Sequence, residues 1–224
     1  MTKDDHTPTG RAFARHPDPM LGPLIQRIEV TAPKGRRRLI AIAGPPASGK
    51  STLAERLSFQ LKNSVVVPMD GFHLENAILQ RRGLLRRKGA PETFDLEGFT
   101  QLIRRLAVAR EVTFPIFDRV ADRAVAAGGV VTAACDTVLV EGNYLMFDAP
   151  GWRDLSPIWD LSIRLTLSEQ TLERRLQARW TGLGFSDLDA MRKISCNDLP
   201  NAQRVAACKL PCDVTLSETD IQKQ

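Results

Sequence analysis

Residues 44–51 read Gly-Pro-Pro-Ala-Ser-Gly-Lys-Ser, between a continuous apolar run, Leu39–Ala43, and a segment with Leu53, Leu57 and Leu61 at four-residue spacing. A short apolar run ending in glycine is the pattern of a strand covered on both faces, and the leucine spacing is that of a helix. The motif GxxxxGK[ST] therefore stands in the strand–loop–helix setting that its chemistry requires. Its glycines let the backbone curl so that successive N–H groups converge on an anion, and the helix N-terminus adds its positive end. Pro45 and Pro46 carry no N–H, so the donors are expected from Ala47 onward. The expected nucleotide contacts are Gly44, Ala47, Ser48, Gly49, Lys50, Ser51 and Thr52. Lys50, taken as an exposed loop lysine, is expected on the β- and γ-phosphates and the Ser51 hydroxyl on Mg²⁺.

The rest of the chain alternates strand and helix signals. Helices are expected at residues 21–30, 50–62, 74–82, 95–110, from Ser168 onward and at 201–208. Strands are expected at 39–43, 64–68, 111–117, 137–141, 161–167 and 213–216. Such alternation predicts an α/β fold, a mainly parallel doubly wound sheet with helices on both faces. At 224 residues with 43% hydrophobic and 25% charged side chains, the chain is one globular unit, residues 21–224, behind a lead-in at 1–20 expected to be disordered. The longest charge-free stretch, between Arg123 and Asp136, is far short of a bilayer span, so no membrane is expected as partner. Residues 1–20 have no apolar core and do not read as a secretory signal. Cys135, Cys196, Cys208 and Cys212 show no CxxC spacing and read as buried reduced thiols, which points to the cytoplasm. With 31 Lys and Arg against 26 Asp and Glu, the net charge of +5 favours acidic partners such as phosphate esters. No aromatic-interleaved basic motif supports nucleic-acid binding.

A GTPase would carry Asn-Lys-x-Asp, which is absent, and Leu167-Ser168-Glu169-Gln170 only brushes the Leu-Ser-Gly-Gly-Gln signature of ABC-type ATPases. A small-molecule kinase needs a phosphate loop, a base, a metal carboxylate and a closing lid. Asp70 lies just past the second expected strand, where a parallel sheet presents its ligand-binding edge, and a carboxylate there can take the proton of an attacking hydroxyl. Its competing reading is an ordinary Asp-Gly turn. Glu141 ends an apolar strand, where a charge is costly unless paired or on a metal. Arg175 and Arg179 share a helical face at i, i+4, with Arg174 on the same segment; Gly182 and Gly184 follow as candidate hinges.

The phosphate loop, Met69-Asp70-Gly71-Phe72-His73, Gly89-Ala90-Pro91-Glu92-Thr93-Phe94-Asp95, Pro115-Ile116-Phe117-Asp118 and Val138-Leu139-Val140-Glu141-Gly142 occur in that order. Together they resemble the uridine kinase, pantothenate kinase and phosphoribulokinase group of P-loop kinases. Glu141-Gly142-Asn143-Tyr144-Leu145 and Asn197-Asp198-Leu199-Pro200-Asn201-Ala202 resemble in particular its bacterial branch of nucleoside or fructose-transport-associated kinases. The resemblance runs from about Leu39 to Leu216.

It implies ATP and Mg²⁺ as cofactors, Asp70 as base and contributor to the metal site with Ser51 and Glu141, and a lid near residues 174–200 whose Arg175 and Arg179 close over the triphosphate. Asn201 is placed against adenine or the lid, or merely caps its helix. Glu92 aligns with the carboxylate that binds ribose hydroxyls in uridine kinases, and His73 and Phe117 join it on the acceptor side. Counting from Pro115 puts Asp122 where those kinases set a histidine against the pyrimidine, and Arg119 replaces a residue that would pack on a base. The expectation is a kinase acting on a hydroxyl of a small metabolite, a sugar or polyol-bearing compound ahead of uridine, cytidine or pantothenate. A water-directed NTPase and a nucleotide-sensing regulatory protein are the rival readings; a homodimer is left open.

Overall fold

The computed structural model describes residues 21–222. The expected lead-in at 1–20 lies outside the described residues. Along the chain run α1 (Gly22–Val30), β1 (Arg38–Ala43), α2 (Lys50–Gln60), β2 (Ser64–Pro68), a short turn of helix at Met69–Phe72, α3 (Asn76–Arg81) and α4 (Leu96–Val108). Then come β3 (Val112–Asp118), β4 (Arg123–Val131), β5 (Thr137–Gly142), β6 (Leu161–Leu165), α5 (Glu169–Gly182), α6 (Asp187–Lys193), α7 (Leu199–Ala207), β7 (Val214–Leu216) and α8 (Glu218–Gln222).

The main sheet is parallel throughout, in the order β2-β5-β1-β6-β7. Although β1 is apolar at every position after Arg38, its side chains serve two cores by the two-residue period of a strand. Leu39, Ala41 and Ala43 face Phe99, Leu102, Ile103 and Leu106 of α4, while Ile40 and Ile42 face Leu24 and Ile28 of α1 and Leu53 and Leu57 of α2. The Asp95 carboxylate caps α4 through the Gly98 N–H at 2.9 Å, and Ser168 caps α5 through the Thr171 N–H, as its position predicted.

The expected 111–117 strand forms but lies outside the parallel sheet. β3 pairs antiparallel with β4 in a separate hairpin. β4 (Arg-Ala-Val-Ala-Ala-Gly-Gly-Val-Val) was not anticipated, because its small residues carry little strand propensity. Their smallness has a packing cause: a Cβ on Gly129 would lie 2.2 Å from the Phe114 ring. α6 and the π turn Ile194–Asp198 behind it were also missed. Pro200 supplies no N–H to the turn preceding α7, and the chain loosens into a wider helix there.

The hairpin is pressed against the turn that carries Asp70. A Cβ on Gly71 would lie 2.1 Å from the Pro115 carbonyl oxygen and 2.6 Å from its carbon, both backbone atoms that cannot swing aside. Gly71→Ala is therefore expected to destabilise the protein by about 1–3 kcal/mol through overpacking, read as a lowered urea midpoint with an unchanged slope. An unchanged midpoint would mean that the hairpin is not seated on this turn.

Candidate active site

Strand register assembles the site. Glu141 of β5 pairs with Ile42 on one side and Pro68 on the other. Ile42 lies two residues before the phosphate loop and Pro68 two before Asp70. The phosphate loop, Glu141 and Asp70 thus meet at the C-terminal edge of adjacent parallel strands, where open α/β sheets bind their ligands.

Within the loop, Ala47 (φ 59°) and Gly49 (φ 96°) both adopt left-handed backbone. Alternation of this kind turns N–H groups into an anion-binding concavity. The Ser48 hydroxyl oxygen is buried with no hydrogen-bond partner, as expected where a ligand supplies one. Lys50 is 7% exposed, not the exposed loop lysine expected from sequence, and its ammonium donates to the Pro45 carbonyl at 2.9 Å. Burial holds it below its ordinary pKa, against the pull of Glu141 and Asp70. Burial pushes the Glu141 carboxyl up, and Lys50 opposes that shift. The Ser51 hydroxyl donates to Glu141 Oε1 at 3.1 Å, while Thr52 is exposed on the first turn of α2.

The two helical arginines have different surroundings. Arg175 Nη1 donates to the carbonyls of Ala47 (3.4 Å) and Ser48 (3.2 Å), bracing the loop from behind. Arg179 stands in the field of Asp70, Glu141, Asp198 and Arg119; partial burial, then Arg119, pulls its pKa down. Arg174 lies near Glu218 instead. In the last turn of α5, Trp180 donates from its indole to Asp198 at 2.7 Å and packs on Phe185, with the Lys193 ammonium over both rings.

On the acceptor side, Asp70 Oδ2 accepts from Arg119 Nη2 at 2.9 Å, a partly exposed pair whose net worth is about 0–1 kcal/mol. His73 Nδ1 bonds the Asp70 carbonyl at 2.8 Å, and its ring lies between Phe94 and Phe117. Asp122 is more committed than expected: one carboxylate oxygen accepts from Lys88 (2.8 Å) and the other from Asn76 (2.8 Å), so it clasps the hairpin turn to the 84–95 loop. Glu92 is held likewise by Arg87 and Arg204, both at 3.0 Å. Burial raises both carboxyls, but these hydrogen bonds and cations outweigh it and keep them below the usual range. Asn201 sits inside α7, 2% exposed, and donates to Asn197 Oδ1 at 3.2 Å. Asn197 in turn donates to the Lys88 carbonyl at 2.8 Å. Through Asn197, Asn201 is thus linked to the 84–95 loop. Sequence reasoning missed Lys88, Asn76, Arg204 and Asn197 in these connections.

The cysteines are free, with Cys135 buried and Cys196 and Cys208 exposed, which corrects the reading of all four as buried. Among the described residues no helix is long and apolar enough to cross a membrane.

The profile of the AAA domain family matches residues 40–183. The fission yeast protein "Putative uridine kinase C227.14" of Schizosaccharomyces pombe (strain 972) is 30% identical over 82% of this chain and 84% of its own length. The chain belongs to the AAA-domain family, among its P-loop kinases. The kinase is also 37% identical to Escherichia coli K12 YggC over 76% of this chain and 73% of that one. A solved structure, a "putative fructose transport system kinase from Silicibacter sp. TM1040", superposes with a TM-score of 0.84 at 48% identity, covering 88% of this chain and 98% of the other. The kinase spans about half the length of the pantothenate kinases it matches.

His73 gives a pH signature. Burial, stronger than the pull of Asp70, depresses its pKa below the ordinary 6.5 in the fold. As pH falls below 6.5 the unfolded chain takes up this proton first, so the associated stability is present above 6.5 and lost as pH falls through the depressed value. The thermal midpoint should fall between pH 7 and pH 5, and His73→Gln should flatten that slope. An identical slope in the variant would show that His73 is not the group responsible.

Proposed function

We propose that the kinase transfers the γ-phosphoryl group of ATP to a hydroxyl of a small sugar or polyol-bearing metabolite. The carrying observation is the placement of Asp70, a partly exposed carboxylate at the same sheet edge as Lys50 and the Ser51–Glu141 pair. The proton of the acceptor hydroxyl goes to Asp70 as its oxygen bonds to the γ-phosphorus, and the bond to the bridging oxygen of ADP breaks. Lys50 and the loop N–H groups hold the phosphates, and Arg179 rather than Arg175 screens the charge of the transferring group, since Arg175 is occupied with loop carbonyls. α5 through the π turn acts as the lid.

The donor set suits Mg²⁺. Among the described residues no group of three or more His, Cys, Asp or Glu side chains is placed to cage a metal. A hydroxyl and a carboxylate 3.1 Å apart beside a phosphate site are what an ion that keeps waters and takes phosphate oxygens requires. Ser51 and Glu141 would hold it, with Asp70 nearby; bound there, it neutralises charge on the phosphates.

Arg119 and Asp122 support the sugar or polyol reading, since by the motif count they replace residues that pack on a base in the resembled nucleoside kinases. The Phe94–His73–Phe117 stack favours the second reading, a nucleoside acceptor, because an aromatic wall also suits a base. Free thiols fit a cytoplasmic setting. Steady-state kinetics with uridine, cytidine, pantothenate and a panel of sugars decides: a nucleoside preferred by more than about tenfold in kcat/KM would reverse the assignment.

Two substitutions test the chemistry. Lys50→Ala should weaken MgATP binding at least about tenfold, the loss expected for charge-assisted hydrogen bonds to phosphate. Calorimetry on the folded variant reads this, and unchanged affinity would remove Lys50 from the phosphate site. Asp70→Asn should bind MgATP with nearly normal affinity yet transfer about 10²–10⁴-fold more slowly, as loss of a general base does. Wild-type turnover in that variant would exclude Asp70 as the base.

A further inference from the structure

Arg119 is presented to Asp70 by a turn that is fixed at both ends. Asp118 Oδ1 accepts from the N–H groups of Val120 (2.9 Å) and Ala121 (3.0 Å), and Lys88 and Asn76 grip Asp122 on the other side. The ion pairs around the acceptor side join Lys88 to Asp122, Arg87 and Arg204 to Glu92, and Arg119 to Asp70. Lys88 spends its donors on Asn76 and Asp122, while Arg87 and Arg204 share Glu92. Burial disfavours the cationic form of His73. Arg119 is balanced by Asp70.

That balance fails during the proposed reaction. Arg119 Nη2 occupies Asp70 Oδ2 at 2.9 Å, on the carboxylate that the acceptor hydroxyl has to reach. Once Asp70 takes the hydroxyl proton, the pair loses its attraction and Arg119 stands as an uncompensated cation beside the acceptor. A neutral polyol does nothing for either problem. An acceptor with an anionic group next to its reacting hydroxyl answers both, because the planar guanidinium fork suits a carboxylate or a phosphate. We infer that Arg119 is the specificity-determining residue of the acceptor pocket, that it selects hydroxylated compounds bearing a carboxylate or phosphate, and that this anion draws Arg119 off Asp70 and frees the base. The inference rests on the reading of Asp70 as the base of a hydroxyl-directed kinase.

The test uses matched pairs: glycerate with glycerol, gluconate with glucose, and fructose 6-phosphate with fructose. ADP release gives kcat/KM for each, and calorimetry with Mg²⁺ and a non-hydrolysable ATP analogue gives affinity without transfer. In at least one pair the anionic member should be favoured at least about tenfold in both measurements, as a charged hydrogen-bonded contact provides. The carboxylate and phosphate pairs tell the two sources apart. Arg119→Gln should lower the anionic-to-neutral ratio at least about tenfold, and Arg119→Lys should keep part of it. Neutral members preferred or equal in every pair, no binding of any member, or a ratio unmoved by Arg119→Gln would overturn the inference. If an anionic member binds through Arg119 and no ADP forms with any acceptor, the inference stands and the reading as a hydroxyl-directed kinase falls.

Discussion

β5 is the strand on which the rest of the site depends. It lies between β1 and β2 and hydrogen-bonds to both, so one register brings Glu141 level with the phosphate loop and with the Asp70 turn. Because a strand's side chains alternate, a slip of one residue would turn Glu141 into one of the two cores. The buried contacts of Val138, Leu139 and Val140 with both core faces oppose such a slip. Geometry that decides the chemistry is thus held by packing well below it.

The buried Lys50–Glu141 charges follow from that placement. Neither lies comfortably in the protein interior alone: burial pulls the lysine toward its neutral form and pushes the carboxyl toward protonation. Each opposes the shift of the other, and Ser51 adds a hydrogen bond to the carboxylate. In the same loop the Ser48 hydroxyl is buried with no hydrogen-bond partner.

The phosphate loop, the parallel sheet, Asp70 and Glu141 were legible because each is written in a short stretch of sequence. A loop between an apolar run and spaced leucines, or a carboxylate just beyond a strand, needs no knowledge of distant contacts. The acceptor wall was legible as a set of residue types but not as an arrangement. Arg119–Asp70 joins positions 49 apart, Lys88–Asp122 34 apart and Arg204–Glu92 112 apart, and nothing local reveals these pairings. The β3–β4 hairpin was lost for a different reason. Its two glycines, Gly128 and Gly129, are required by the Ile116 and Phe114 side chains lying over them, so that part of the signal resides in the partner strand.

Trp180 differs from the other two tryptophans in a way that has a practical use. Trp152 and Trp159 are 3% exposed within the core, whereas Trp180 is half-buried in the α5–α6 region, bonded to Asp198 and lying under the Lys193 ammonium. An indole in a cationic, hydrogen-bonded setting senses any rearrangement of those partners through its emission. The fold therefore carries an optical reporter of how α5 sits on Asp198 and Lys193, against a background of two tryptophans that are shielded from solvent.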